Sequence, residues 1–250
     1  MHLPVHHIHN KRSSPIAGNL CTRCTNTNCL VQKHVSNPAI SELIKSRKEI
    51  KCKKGQQFIM EGASVTGLFF LLNGKVKVVR TGLLGREQIV RFATPGEIIG
   101  HRGFGTEETY PISAMALVDS SLCYFSKDLL QEILKISPEL TYDLMLFYAN
   151  ELNRSEIRVK SLSQMTVRER VIDTLLYINR KFGQNNGYTA IVLSRREYAN
   201  YAGTTEEQVI RTLSALKKEG LVATKGKRIG LLNIPMLQNE ISEHNFYLDS

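Results

Sequence analysis

LSRREYANYAGTTEEQVIRTLSALKKEGL, residues 193–221, reads as two capped helices joined by a tight turn. Ser194 and Glu197 form a Ser-x-x-Glu capping box, in which hydroxyl and carboxylate each accept from an orphan backbone N–H. Gly203 stops the first helix, because glycine takes positive φ at a sharp corner without steric cost. Thr205 opens the second helix, with Gln208 as the partner in a second box. Val209, Leu213 and Leu216 give it one apolar stripe, and Gly220 ends it. Two short helices around such a corner make a helix-turn-helix, whose second helix lies in the major groove of DNA.

The outward face of that second helix carries Thr205, Glu206, Glu207, Ile210, Arg211 and Ser214. An arginine can bind guanine O6 and N7 together, and a carboxylate can accept from cytosine N4. The plainer alternative is a solvated Glu207–Arg211 ion pair one turn apart, worth roughly 0.2–0.5 kcal/mol. Residues 221–225 and 228–232 flank Gly226-Lys227 as a small hairpin. Lys225, Lys227 and Arg228 sit at its tip, where they can meet phosphates. Helix, turn, helix and basic hairpin make a winged helix.

The chain of 250 residues carries a formal net charge of +10, which suits a polyanionic partner such as double-stranded DNA. No apolar run approaches the ~20 residues of a membrane span. No apolar signal segment opens the sequence. The expectation is a cytoplasmic protein with no membrane association. In a reducing compartment its five cysteines speak for metal binding, redox sensing or burial rather than disulfides. Residues 1–20 read as a frayed tail, although His2, His6, His7 and His9 are capable of metal or haem binding.

Cys21, Cys24 and Cys29 fall on a polar, turn-forming stretch, and His34 follows. A thiolate pair with two residues between is a common ligand loop for zinc or an iron–sulfur cluster. Two completions compete. His34 as fourth ligand gives a Cys3His zinc site. A distant fourth cysteine gives a [4Fe–4S] cluster.

Asn37 and Pro38 start a helix over residues 37–47, with Ile40, Leu43 and Ile44 as its apolar face. From 50 to 125 the rhythm changes to short strands, at 57–60, 67–72, 75–79 and 88–92. The turns are Glu61-Gly62, Asn73-Gly74, Gly82 to Gly85 and Pro95-Gly96. This pattern predicts a closed antiparallel roll, with Asn73-Gly74 as a hairpin turn. A helix over 128–134 precedes a longer one over 138–164, whose apolar positions are Leu140, Leu144, Tyr148, Leu152, Val159 and Leu162. Asn153, Ser155 and Arg158 interrupt the stripe, which fits a partner helix in a dimer better than a buried core. The alternative is packing on its own roll only. A helix over 166–180 turns Val171, Leu175 and Ile178 inward, 183–187 reads as a loop, and the last fourteen or so residues as a loose tail. The expected fold class is α+β. It comprises a cysteine-bearing segment (1–36), a jelly-roll-type antiparallel β-roll (37–136), a dimerisation helix (137–165), a winged helix-turn-helix (166–236) and a tail (237–250).

From about residue 20 to 235 this layout resembles the Crp/Fnr family of bacterial transcription regulators. The turn Asn73-Gly74, the run Pro95-Gly96-Glu97-Ile98-Ile99-Gly100 and the helix-turn-helix carry the resemblance. It looks most like the oxygen-responsive Fnr branch. There three N-terminal cysteines and one in the roll hold a [4Fe–4S] cluster. The resemblance assigns those places to Cys21, Cys24, Cys29 and Cys123, and it implies a homodimer on a palindromic DNA site with RNA polymerase as a partner. Three differences stand out. The gap from Cys24 to Cys29 is one residue shorter than in the best-known Fnr proteins. Ser155 stands where they have an acidic residue in the long helix. In their Glu-x-x-Ser-Arg pattern Glu207 and Arg211 carry over, but Ile210 replaces the serine, where it can meet a thymine methyl. The Crp branch binds cyclic AMP with a Glu after Ile-Gly and an Arg-Ser pair. Here His101-Arg102 follows Ile99-Gly100, and Ile112-Ser113 lies near the second place, so cAMP is not expected, with Arg102 a replacement phosphate ligand at most.

Two rivals keep part of this picture: a same-fold regulator sensing a haem-bound gas or a small molecule in the roll, and a zinc-knuckle protein binding single-stranded nucleic acid. The second lacks the knuckle's usual aromatics between Cys21 and His34. No nucleophile–base signature, P-loop or dinucleotide fingerprint points to an enzyme.

Overall fold

The computed structural model describes residues 21, 24–105 and 108–244. The histidines at 2, 6, 7 and 9 lie outside the described residues, as does 245–250. Asn37 caps α1 (Pro38–Leu43), its side-chain oxygen accepting from the Ala39 N–H at 3.0 Å, and Pro38 supplies the preset φ.

Eight strands follow: β1 (Lys48–Cys52), β2 (Gln57–Ile59), β3 (Gly67–Asn73), β4 (Val76–Thr81), β5 (Glu87–Ala93), β6 (Ile98–Ile99), β7 (Ser113–Ala116) and β8 (Ser120–Ser126). They pair antiparallel in two four-stranded sheets, ordered β1-β8-β3-β6 and β2-β7-β4-β5. Phe69, Leu71, Val78, Ile99, Tyr110, Ile112 and Leu122 fill the space between the sheets. The turn at Asn73-Gly74 exists, but it is not a hairpin. β3 and β4 belong to different sheets, so the chain turns a corner there. A Cβ on Gly74 would stand 2.1 Å from the Ser120 hydroxyl oxygen, so close approach, not strand pairing, demands the glycine. The hairpin partner of β4 is β5, across Gly82 to Gly85.

Ser126 and Ser137 cap α2 (Lys127–Ile136) and α3 (Pro138–Gln164). Leu140 and Leu144 of α3 are buried with Ile40, Phe70 and Ile133, and the Tyr148 hydroxyl donates to the His101 carbonyl at 2.8 Å. Half of the expected partner-facing stripe therefore packs on the protein's own roll. A second row, sharing Leu152 and Val159 with the expected stripe, is left uncovered: Tyr142, Met145, Ala149, Leu152, Glu156 and Val159, with Leu152 62% and Val159 67% exposed. Its alternating steps of three and four are a heptad seam, one helical face round from the buried residues.

A full capping box, Thr166 with Glu169, opens α4 (Val167–Phe182). The expected loop is a tiny hairpin of β9 (Gln184–Asn185) and β10 (Tyr188–Thr189), turning on Asn186 and Gly187 with φ of 51° and 74°. Asn-Gly with both φ positive is the preferred two-residue hairpin turn. Next come α5 (Arg195–Ala202), α6 (Glu206–Lys218), β11 (Val222–Lys225), β12 (Arg228–Leu231) and α7 (Ile234–Glu240).

α7 corrects the expectation of a loose tail from 237. Asn233 caps it, Leu237 and Ile241 are buried in the core of this domain, and Arg168 bridges Glu240 to Glu219. Leu237 is 0% exposed. Leu237→Ala should lower the unfolding free energy of this domain by about 2–5 kcal/mol, read as an earlier urea midpoint.

The C-terminal domain also rests on the roll. Val79, Ile89 and Phe92 share its core, and the buried Lys77 ammonium sits 3.1 Å from Glu197 on α5.

Candidate functional site

The nucleic-acid face is built by the two capped helices. Ser194 and Glu197 make both bonds of their box; at Thr205 only the forward bond, from the Gln208 N–H, is formed. Val209, Leu213 and Leu216 of α6 are buried, which turns Glu206, Glu207, Ile210, Arg211 and Ser214 to the surface. The Arg211 guanidinium donates to Glu207 at 2.7 Å, with both side chains more than three-quarters exposed. The plain ion pair is present, and at that exposure it adds little stability. In the wing, Lys225 pairs with Arg228 across the hairpin, and Lys225, Lys227 and Arg228 are exposed.

Arg195 is a residue that sequence reasoning missed. Its guanidinium donates to the carbonyls of Lys227 and Gly226, both at 3.2 Å, and so ties the wing tip to the start of α5. A signal was there: a cation in a helix's first turn opposes the macrodipole and calls for a partner elsewhere.

Cys21, Cys24, Cys29 and Cys123 line one pocket, walled by Phe70, Leu71 and Phe125. The loop is shaped by turn bonds, Cys24 N–H to Cys21 C=O at 3.3 Å and Cys29 N–H to Asn26 C=O at 2.9 Å. The Asn26 amide fastens it to β3 by donating to the Leu72 carbonyl at 2.9 Å. Gly96 presses against it from below, since a Cβ there would lie 3.2 Å from Asn28. β8 delivers Cys123 opposite Phe70 on β3 and Glu49 on β1. Burial pushes the Cys21 thiol up to about 11, with the neighbouring thiols adding to the rise and Arg47 opposing it. Burial likewise raises Cys29 and Cys123, and Arg47 again opposes at Cys123. Arg47, the cation beside these sulfurs, is the second residue sequence reasoning missed.

The donor set suits a soft-metal or iron–sulfur group, whose positive charge would draw these thiols into their thiolate form. The cavity between them measures about 20 Å³, room for about one water. Among the described residues no three His, Cys, Asp or Glu side chains close round a single ion. The Cys3His zinc site is not assembled: His34 does not line the cysteine pocket, and its Nε2 meets Asp143 on α3 at 2.9 Å. The fifth cysteine, Cys52, lies in the separate core of the roll.

Tyr110 is buried in the roll and donates to the Gly67 carbonyl at 2.7 Å. Arg102 faces α3, donating to the Ser155 hydroxyl at 3.2 Å.

Residues 49–137 match the cyclic nucleotide-binding domain and residues 169–240 the Crp-like helix-turn-helix domain. The chain is 30% identical over 199 residues to the transcriptional activator protein Anr of Pseudomonas aeruginosa, covering 78% of this chain and 80% of that one. It is 27% identical over 198 residues to the fumarate and nitrate reduction regulatory protein of Vibrio cholerae, covering 78% of each. The structure of FixK2 from Bradyrhizobium japonicum superposes with a TM-score of 0.69 at 27% identity, covering 77% of this chain and 96% of that one. With a roll, a long helix and a winged helix-turn-helix in that order, and with these relatives, the chain belongs to the Crp/Fnr family of DNA-binding transcription regulators.

Proposed function

We propose that this regulator acts as a homodimer on a palindromic DNA site and answers oxygen or nitric oxide through a [4Fe–4S] cluster held by Cys21, Cys24, Cys29 and Cys123. The observation that carries the reading is that the cysteine loop and the long helix share one core. Val31 and Val35, just after Cys29, pack with Leu140 and Leu144 of α3, and His34 holds Asp143 on the same helix. A bound cluster of this kind supplies a redox centre that oxygen and nitric oxide attack. The chain's own part is mechanical. Movement of the cysteine loop shifts Val31 and His34, and with them the first half of α3, whose uncovered seam sets the pairing of two copies. Two winged helices must sit about 34 Å apart to read successive turns of DNA, and a bias of a few kcal/mol in that pairing is enough to change occupancy.

The DNA half is tested by fluorescence anisotropy on a selected palindrome and a scrambled duplex. Arg211→Ala should cost about 1–3 kcal/mol on the palindrome and relax the choice at one base pair. Lys227→Ala should weaken both duplexes alike and lower the salt slope by about one. Equal losses on both duplexes for Arg211→Ala would remove it from base reading.

A further inference from the structure

The outer face of β4 and β5 carries α5, the first helix of the helix-turn-helix. Strand alternation sends Val76 and Val78 into the core of the roll and leaves Lys77 on the other face. A register shift between Val78 and Val79 then breaks the alternation. Val79, Ile89 and Phe92 come to pack with Tyr198, Ala199, Tyr201 and Ala202 of α5. An apolar patch of this kind attracts without direction, so by itself it lets a helix slide or roll. Two polar side chains of the roll remove that freedom. Lys77 is 8% exposed, and its ammonium lies 3.1 Å from Glu197 in the first turn of α5 and 3.9 Å from Glu87. The other oxygen of Glu197 stays in the capping box and accepts from the Ser194 N–H at 2.9 Å. Toward the far end of the helix, the Gln88 amide donates to the carbonyls of Asn200 and Tyr201. These belong to the last turn, whose carbonyls have no partner within the helix. From α3, Arg158 reaches the same Tyr201 carbonyl.

We propose that Lys77 and Gln88 are positioning residues for DNA binding. They fix α5 on the roll at two points about one turn apart, and α6 follows through the Gly203 corner. In a pair of copies this sets the distance between the two recognition helices, so the roll itself helps to choose the half-site spacing. The inference rests on the pairing proposed above. A buried ion pair is a poor source of net stability, so the service of Lys77 is direction. Neither residue touches the outward face of α6, so a single half-site is read equally well without them.

The test uses the full-length variant Lys77→Met with Gln88→Met, which keeps side-chain length and removes both sets of donors. Anisotropy is measured on one half-site and on palindromes whose half-sites stand one or two base pairs nearer or farther than the best spacing of the parent. Half-site affinity should match the parent. Affinity at the parent's best spacing should fall by about tenfold, part of the 10²–10⁴ that tethering contributes, and the preference among spacings should flatten. Hydrogen exchange of the DNA-free protein reads the contact without any pairing: α5 and β5 should lose protection together, while α6 and β3 keep theirs. Unchanged protection of α5 and β5 overturns the two anchors. Lost protection with a spacing profile as sharp as the parent's overturns their role in spacing. Equal loss on the half-site overturns it too, since the variant would then have damaged the reading helix itself. A parent indifferent to spacing removes the pairing, and the spacing role with it, whereas the exchange result still judges the anchors.

Discussion

Replacing Leu152 and Val159 together with aspartate should leave a folded monomer whose affinity for a two-half-site duplex is lower by about 10²–10⁴, the range gained when a second binding event is tethered to the first. Both side chains are more than 60% exposed in the single chain, so aspartate there breaks no internal packing. The helix does not need the seam to stay in place. Leu140 and Leu144 anchor it from below, Tyr148 bonds the His101 carbonyl, and Glu151 is held by Arg91 and Arg154. In a parallel two-fold pair of helices each seam residue faces its own copy, so every aspartate would meet another aspartate. Glu156 sits on the same row, between Leu152 and Val159, and would add a like-charge contact of its own to such a pairing. Size-exclusion chromatography with light scattering reads the assembly state, and anisotropy on whole and half sites reads the affinity. A variant that stays dimeric, or a monomer that binds the whole site as tightly as the parent, would rule out this seam.

The position of that seam shows how far the sequence could be read. A long helix over 138–164 was legible because serine and proline mark its start and its apolar residues recur at helical spacing. Its phase was not, because two apolar rows run along one helix and only the tertiary fold decides which one the roll covers. The winged helix was legible almost throughout, since caps, glycine corner and hairpin are all local signals. α7 was missed because Asn233-Ile234-Pro235 is a brief start signal and Leu237 gains its weight from a pocket assembled by distant residues. Asn73-Gly74 misled for a related reason. The dipeptide marks a turn, but whether flanking strands pair depends on which sheet each joins. At the cysteine site, spacing pointed to a ligand loop. The retreat of His34 to Asp143 and the approach of Arg47 are long-range facts with no local trace.

Cys123→Ser should take iron and sulfide in protein purified without oxygen from about four of each per chain to near zero. Cys21, Cys24 and Cys29 belong to a loop that turn bonds shape. Cys123 is the one sulfur of the four on a strand paired at both edges, to β1 and β3, and so gives the site its fixed point. A serine oxygen keeps the size of the side chain but is a poor ligand where soft thiolates are wanted. Cys52→Ser is the control, since Cys52 lies in the other core and should keep the iron. The raised thiols add a second expectation. Cys21, Cys29 and Cys123 are protonated at neutral pH, so metal uptake must release protons and should strengthen as pH rises toward their shifted values. If the cysteines govern α3 through Val31 and His34, DNA affinity in the parent should fall on exposure to air, whereas Cys123→Ser should be indifferent to it. Iron-free protein from oxygen-free preparation would sink the cluster. One zinc per chain retained in Cys123→Ser would return the site to the three loop cysteines alone.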